Sequence, residues 1–158
     1  MTNELTHSHK EPELESLLSD LVSVTQRLTR LAAQASGDTT SPAVWRTLSV
    51  LDHFGPMRLG QLAKQNRVSQ PTMTKIVANL NESEWIRRIA DVDDARAWQI
   101  ALAPKGVAAL ADWRRKVGSV LAPLFSELGP VDVETLSRAI DLIHECTDAR
   151  EESLVRAA

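Results

Sequence analysis

The stretch Leu59–Gly106, LGQLAKQNRVSQPTMTKIVANLNESEWIRRIADVDDARAWQIALAPKG, decides how the rest of the chain is read. Leu59, Leu62 and Ala63 pattern a short amphipathic helix, which Asn66 and Arg67 close and Val68 follows as the turn. Ser69 is a good N-cap for a second helix, and Pro71 falls in its first turn, where a missing N–H does little harm. Met73, Ile76, Val77 and Leu80 recur at i, i+3, i+4 and i+7 and define a buried face. The opposite face shows Gln70, Thr72, Thr74, Lys75 and Asn79, with no acid before Glu82. An ordinary solvated helix face would instead be rich in Glu and Lys. Ile86, Ile89 and the run Trp98–Leu102 read as two short strands. The segment Ala90–Ala97 between them is long for a hairpin loop and suggests an extended wing.

Working outward, Ser41 caps an upstream helix with Pro42 at its first position. Val44, Trp45, Leu48, Leu51 and Phe54 form its buried face, and Gly55-Pro56 stops it. Met57-Arg58-Leu59 is long enough for one rung of a small sheet and no more. Before this, after a polar tail over residues 1–11, a long helix is expected from Pro12 to its end at Gly37-Asp38. Its stripe of Leu14, Leu17, Leu21, Val24, Leu28, Leu31 and Ala35 is longer than one small domain needs from its first helix. It faces either the core or a partner helix. Downstream, Pro104 opens a fifth helix with Leu110, Trp113, Val117, Val120, Leu121 and Leu124 as its stripe, and Gly129-Pro130 breaks it. A sixth begins near Asp132, with Val133, Leu136, Ile140 and Ile143 on one face and Leu154 near its end. No repeat or linker interrupts the order, so residues 1–158 are expected to form one domain. The fold class is mainly α with a small β-hairpin wing: a winged helix-turn-helix over residues 41–106, flanked by long helices.

The 158 residues are 43% hydrophobic and 25% charged, which suits a single soluble domain. No apolar run is long enough to span a membrane, and the N-terminus lacks the pattern of a secretory signal. A lone Cys146 excludes an internal disulfide and fits a reducing cytoplasm, the expected location. The net charge of −3 at first opposes a nucleic-acid partner. Its distribution does not: residues 58–105 hold eight basic and five acidic side chains, net +3, and the remainder carries 10 basic and 16 acidic, net −6. Phosphate contact depends on local charge, because screening removes charges beyond about 8 Å.

No catalytic motif is present: there is no CxxC, GxSxG, HExxH or glycine-rich phosphate loop, and no cofactor is expected. His144-Glu145-Cys146 are successive helix residues and do not face one point; with His53 they make no metal site, and His7 and His9 are tail residues. Cys146 is expected to be buried or at an interface.

The polar helix face has the chemistry to read duplex DNA. A helix fits the major groove, where each base pair shows its own donor and acceptor pattern. Ser69 and Gln70 sit at a helix N-terminus, where N–H groups favour a phosphate. The candidate DNA contacts are Ser69, Gln70, Pro71, Thr72, Thr74 and Lys75, with Arg67, Arg88 and Arg96 around them. Arg96 at a wing tip has the reach for a minor groove. Asp94 has the wrong charge for DNA and is assigned a structural role in the wing, accepting backbone hydrogen bonds or holding an arginine.

At this point the sequence resembles the MarR family (multiple antibiotic resistance regulators) over nearly its whole length. The family's wing signature is Asp-x-Arg, five residues, then Leu-Thr-x-x-Gly; here it reads Asp94-Ala95-Arg96, then Leu102-Ala103-Pro104-Lys105-Gly106. Gln61-Leu62-Ala63, Ser69 to Lys75, Leu80 and Ile86-Arg87-Arg88 match the helix-turn-helix and first strand. The resemblance implies a homodimer held mainly by residues 12–36 and 107–157. It implies a repressor on a pseudo-palindromic double-stranded DNA operator, with half-sites roughly 34–36 Å apart. It also implies a small aromatic or apolar anionic effector in a cleft, for which Trp45, Arg46, His53 and Trp113 are the candidates. Three positions depart from the family pattern: Ala103 stands for Thr, Glu84 for Gly, and Ala97-Trp98 where many members carry a second wing cation. Two other readings stay open, a winged-helix module that binds protein or ligand and not DNA, and a metal- or redox-triggered sensor.

Overall fold

The computed structural model describes residues 13–94 and 96–156, with side chains through residue 148. The tail with His7 and His9, the expected helix start at Pro12, Ala95 of the wing signature, the Leu154 side chain and residue 157 lie outside this description. The chain runs α1 (Leu14–Ser36), α2 (Pro42–Phe54), α3 (Leu59–Asn66), α4 (Gln70–Glu82), β1 (Ile86–Ala90), β2 (Trp98–Leu102), α5 (Pro104–Leu121), a 3-10 turn (Ala122–Phe125) and α6 (Pro130–Arg156). It divides into two compact units, one ending at Leu121 and the other starting at Ala122.

The first unit is built around α2. Ser41 caps it, accepting from the Ala43 N–H at 3.3 Å, and Gly55 ends it at φ 77°. Leu48, Leu62, Met73, Leu80 and Leu110 are fully buried and join α2, α3, α4 and α5 in one core, which Val77, Ile86 and Ile100 extend to the hairpin. Each such side chain contributes about 1.5–3 kcal/mol relative to its exposed state. The hairpin is antiparallel, with Ile86 opposite Leu102, Arg88 opposite Ile100 and Ala90 opposite Trp98. Met57 adds the expected single rung, exchanging backbone hydrogen bonds with Ile100 at 2.9 and 3.1 Å.

One buried polar contact locks α3 onto α2. The Thr47 hydroxyl lies 2.7 Å from the Ala43 carbonyl and 3.3 Å from Asn66 Oδ1, while Asn66 Nδ2 donates to the Leu62 carbonyl at 2.9 Å. Both residues are buried, and the contact ties the last residue of α3 to α2. Helix α1 packs on α5 but buries only Ala32 fully. The stripe read from the sequence is largely on the outside: Leu14, Leu17, Val24 and Leu31 are exposed.

Two boundaries differ from the sequence reading. The fifth helix stops at Leu121, and Leu124 lies exposed in the 3-10 turn. Pro123 supplies no N–H and its ring crowds the preceding turn, so an α-helix cannot run through it. The second unit's α6 starts at Pro130 rather than near Asp132. Asp132 instead accepts from the Gly129 N–H at 3.2 Å, an N-terminal cap in which Pro130 takes the first helical position. On α6, Val131, Val133, Leu136, Ile140, Leu142 and Ile143 are all exposed. Cys146 is exposed on the same helix, contrary to burial.

Candidate nucleic-acid interface

Helix α4 presents its polar side as an ordered surface. Ser69 Oγ accepts from the Thr72 N–H at 3.3 Å and lies 2.9 Å from Thr72 Oγ1. Pro71 occupies the second helical position, where no N–H is needed. The Thr74 hydroxyl donates to the Gln70 carbonyl at 2.9 Å, which uses its proton within the helix and leaves the oxygen's remaining lone pair as an acceptor. Met73, Val77 and Leu80 are buried, whereas Ser69, Gln70, Pro71, Thr72, Thr74, Lys75 and Asn79 are exposed. The helix therefore shows acceptors, amides and one cation, with no acid along this face before Glu82. At Gly60 an added Cβ would stand 3.1 Å from Gln70 Nε2, so α3 approaches α4 closely at this point.

The turn between α3 and α4 hinges on Arg67, whose φ of 53° is left-handed and whose N–H bonds to the Lys64 carbonyl at 3.0 Å. Its side chain is exposed beside the start of α4, and Arg88 is exposed on β1.

The wing loop is organised by a residue that the sequence did not single out. Asp91 is only 6% exposed. One carboxylate oxygen accepts from Arg58 Nε at 2.7 Å and Gln99 Nε2 at 3.2 Å. The other accepts from the backbone N–H groups of Asp93 at 2.9 Å and Asp94 at 3.2 Å. The Arg58 hydrogen bond, together with these N–H donors, holds the Asp91 carboxyl far below the usual carboxylate range. Asp94 has the smaller part: its carboxylate accepts from the Arg96 N–H at 3.0 Å and its carbonyl from the Ala97 N–H at 2.8 Å. The guanidinium clasped at the base of the wing belongs to Arg58, and Arg96 stays exposed near the tip.

Behind α4, a tight turn joins the helix to the hairpin. Glu84 adopts φ 59°, the left-handed conformation that glycine takes more readily, and its carboxylate meets Lys105 Nζ at 2.9 Å. The Trp85 carbonyl accepts from the Ala103 N–H at 3.0 Å, and a Cβ on Gly106 would overlap that same carbonyl. A backbone bond thus anchors the entry to α5 at Ala103, whose side chain cannot cap the helix.

The first unit also contains a cleft of about 650 Å³ between α1, α2 and α5. Trp45, Arg46 and Trp113 line it; His53, at the end of α2 with its ring edge-on to Phe54, does not. Trp45 stacks on Trp113 at 5.2 Å and on Trp85 at 5.4 Å, so three indoles run from the cleft to the turn behind α4. The Trp45 indole N–H donates to Asp38 at 2.9 Å. Burial pushes the Asp38 carboxyl up, but hydrogen bonds from Thr40 and Trp45 outweigh it and hold it below its ordinary value.

Residues 40–98, which hold α2 through the start of β2, match the family model described as MarR family. Over these residues the chain is similar to the MarR family. It is 28% identical over 133 residues to an HTH-type transcriptional regulator of Mycobacterium bovis, covering 84% of this chain and 93% of that one. Among solved structures it superposes on RV1404 from Mycobacterium tuberculosis with a TM-score of 0.67 at 21% identity, covering 87% and 95% of the two chains. The wild-type MarR structure from E. coli gives 0.65 at 21% identity, covering 80% and 95%. The fold is therefore the MarR-type winged helix. Among the described residues no helix is long and apolar enough to cross a membrane, and no group of His, Cys, Asp and Glu side chains is arranged to hold a metal ion.

The glycine at position 106 has a plain cause here: it passes directly over the Trp85 carbonyl. The Asp91–Arg58 clasp escaped sequence reasoning because Asp91, Asp93 and Asp94 look alike in the chain and the arginine lies 33 residues away. The available signal was Arg58 itself, an isolated cation at the foot of α3.

Proposed function

We propose that this regulator is a homodimeric repressor that reads a pseudo-palindromic operator with α4 in the major groove and the wing at the adjacent minor groove. The observation that carries this reading is the exposed, acid-free start of α4. Its Gln70, Thr72, Thr74 and Lys75 are held in register by the Ser69 cap and backed by a buried Met73–Leu80 face. Ser69, Pro71 and the helix N-terminus position the backbone, and Arg67, Arg88 and Arg96 supply further phosphate or minor-groove contacts. Asp94 shapes the turn that carries Arg96. The exposed apolar faces of α1 and α6 support dimerisation, each being too extensive to leave in water on a lone chain.

The cleft supports release by a small aromatic or apolar anion, with Trp45 and Trp113 as the aromatic wall and Arg46 as the cation at its edge. In a titration with benzoate-type carboxylates, tryptophan emission should change, and Arg46→Ala should weaken the response.

DNA binding is tested on a duplex selected by the wild-type protein from a random library. Arg96→Ala should weaken binding by roughly tenfold, with thermal unfolding unchanged. Thr72→Ala and Thr74→Ala should alter which bases are selected. Lys75→Ala should weaken binding to every duplex and lower the salt slope by about 1. Equal losses on all sequences at all three positions would contradict this division of labour.

A further inference from the structure

Between α4 and the hairpin lies an open groove of about 370 Å³. Thr74, Ala78, Asn81 and Glu82 line it from the helix, and Arg88 and Trp98 from the strands. Trp98 is 61% exposed. The strand register sets Arg88 opposite Ile100, two residues from Trp98, so Arg88 and Trp98 are diagonal neighbours on one face of the hairpin. An exposed tryptophan alone carries little meaning. Here it lines the same open groove as Arg88 and the small residue Ala78. This pairs an apolar plane with a cation, as a deoxyribose–phosphate unit requires.

We propose that this groove seats one strand of the DNA backbone, with the Arg88 guanidinium on a phosphate and the Trp98 indole packed against the neighbouring sugar. The inference rests on the DNA-binding reading above. A helix in the major groove and a wing at the next minor groove are separated by one sugar–phosphate strand, and this groove is the space between those two parts of the protein. Glu82 lines the same groove and repels an anion, so the phosphate sits towards Arg88. Trp98 is then a positioning residue that sets how deeply the wing engages. It acts in a place where a second wing cation is missing from this chain. Its contact is apolar and independent of sequence, unlike the base contacts of Thr72 and Thr74.

The experiment measures the affinity of the full chain for two DNAs: a duplex selected from a random library by the wild type, and sonicated genomic DNA. Trp98→Ala should weaken both by the same factor, roughly two- to tenfold as for loss of one aromatic contact. Its salt slope should be unchanged, because no counterion contact is lost. Trp98→Phe should restore most of the affinity, which a loss of fold would not allow. Arg88→Ala should reduce the slope of log K against log salt by about 0.9. Glu82→Gln should tighten binding to both DNAs. Wild-type affinity of Trp98→Ala for both DNAs would overturn the inference and leave the DNA-binding reading intact. A loss confined to the selected duplex would also overturn it, since the ring would then be contacting a base. Failure of the wild type to bind any duplex would instead remove the reading on which the inference stands.

Discussion

Gly106 has no room for a side chain, because α5 begins directly over the Trp85 carbonyl. The obstacle is backbone, so a rotamer change cannot relieve it. Gly106→Ala should therefore destabilise the protein by about 1–3 kcal/mol, the range for forcing extra atoms into a packed site. Urea unfolding should show a lower midpoint with an unchanged slope. Glu84, in the turn that follows α4, is the opposite case. The left-handed conformation at φ 59° shows that the turn kept its glycine-like shape although its residue changed. Its side chain is exposed and pairs with Lys105, so it displaces nothing in the core. Two of the departures noted in the sequence, Glu84 and Ala103, have local accounts. At Ala103 no side-chain cap is available, and the Ala103 N–H bonds to the Trp85 carbonyl, a contact that no residue pattern displays.

Among the elements, the helices were the most legible. Ser41-Pro42 and Ser69-x-Pro71 are short-range signals, and the caps they promise are formed. The helix ends set by Pro123 and Pro130 were misjudged by a few residues, because a proline limits a helix without saying on which side the last turn tightens. The wing was legible as a loop but not as a structure. Its integrity depends on Asp91 joining Arg58, Gln99 and two backbone N–H groups, a convergence of segments far apart in sequence. Asp91→Asn removes the charge from this hub. Amide exchange over residues 92–97 should accelerate and DNA affinity fall, while thermal unfolding of the helical core changes little. The pH dependence has a definite sign. A carboxyl whose folded value lies below its unfolded value, near 3.9, stabilises the fold above that unfolded value and loses the effect as pH falls through the folded one. Wing protection should thus stay constant from pH 8 to pH 5 and disappear only in strong acid. A loss beginning near pH 6 would show that another group controls the loop.

At the scale of the whole molecule, α1 and α6 each carry a run of exposed apolar side chains. Leu14 is 67% exposed and Val131 74%. Substituting Leu17→Glu on α1 or Leu136→Glu on α6 places a charge within such a face. Sedimentation equilibrium should show wild-type dimers and a shift towards monomers in each variant, with operator binding weakened in parallel. An unchanged dimer in both variants would mean that neither face forms the interface. The segregated charge has a related logic: the positive share lies in residues 58–105, the segment proposed to meet phosphate, and the acidic excess lies outside it. The tryptophans add an optical consequence. With no tyrosine in the chain, near-ultraviolet signals come mostly from four indoles. Three are stacked within 5.4 Å of a neighbour and exchange excitation, giving a circular dichroism band sensitive to their mutual angle. The fourth, Trp98, faces solvent and should emit further to the red. One unlabelled sample thus carries two separable channels, a dichroic one reporting the cleft and a red emission reporting the groove. Titrating either site while watching both would reveal whether a disturbance at one travels to the other.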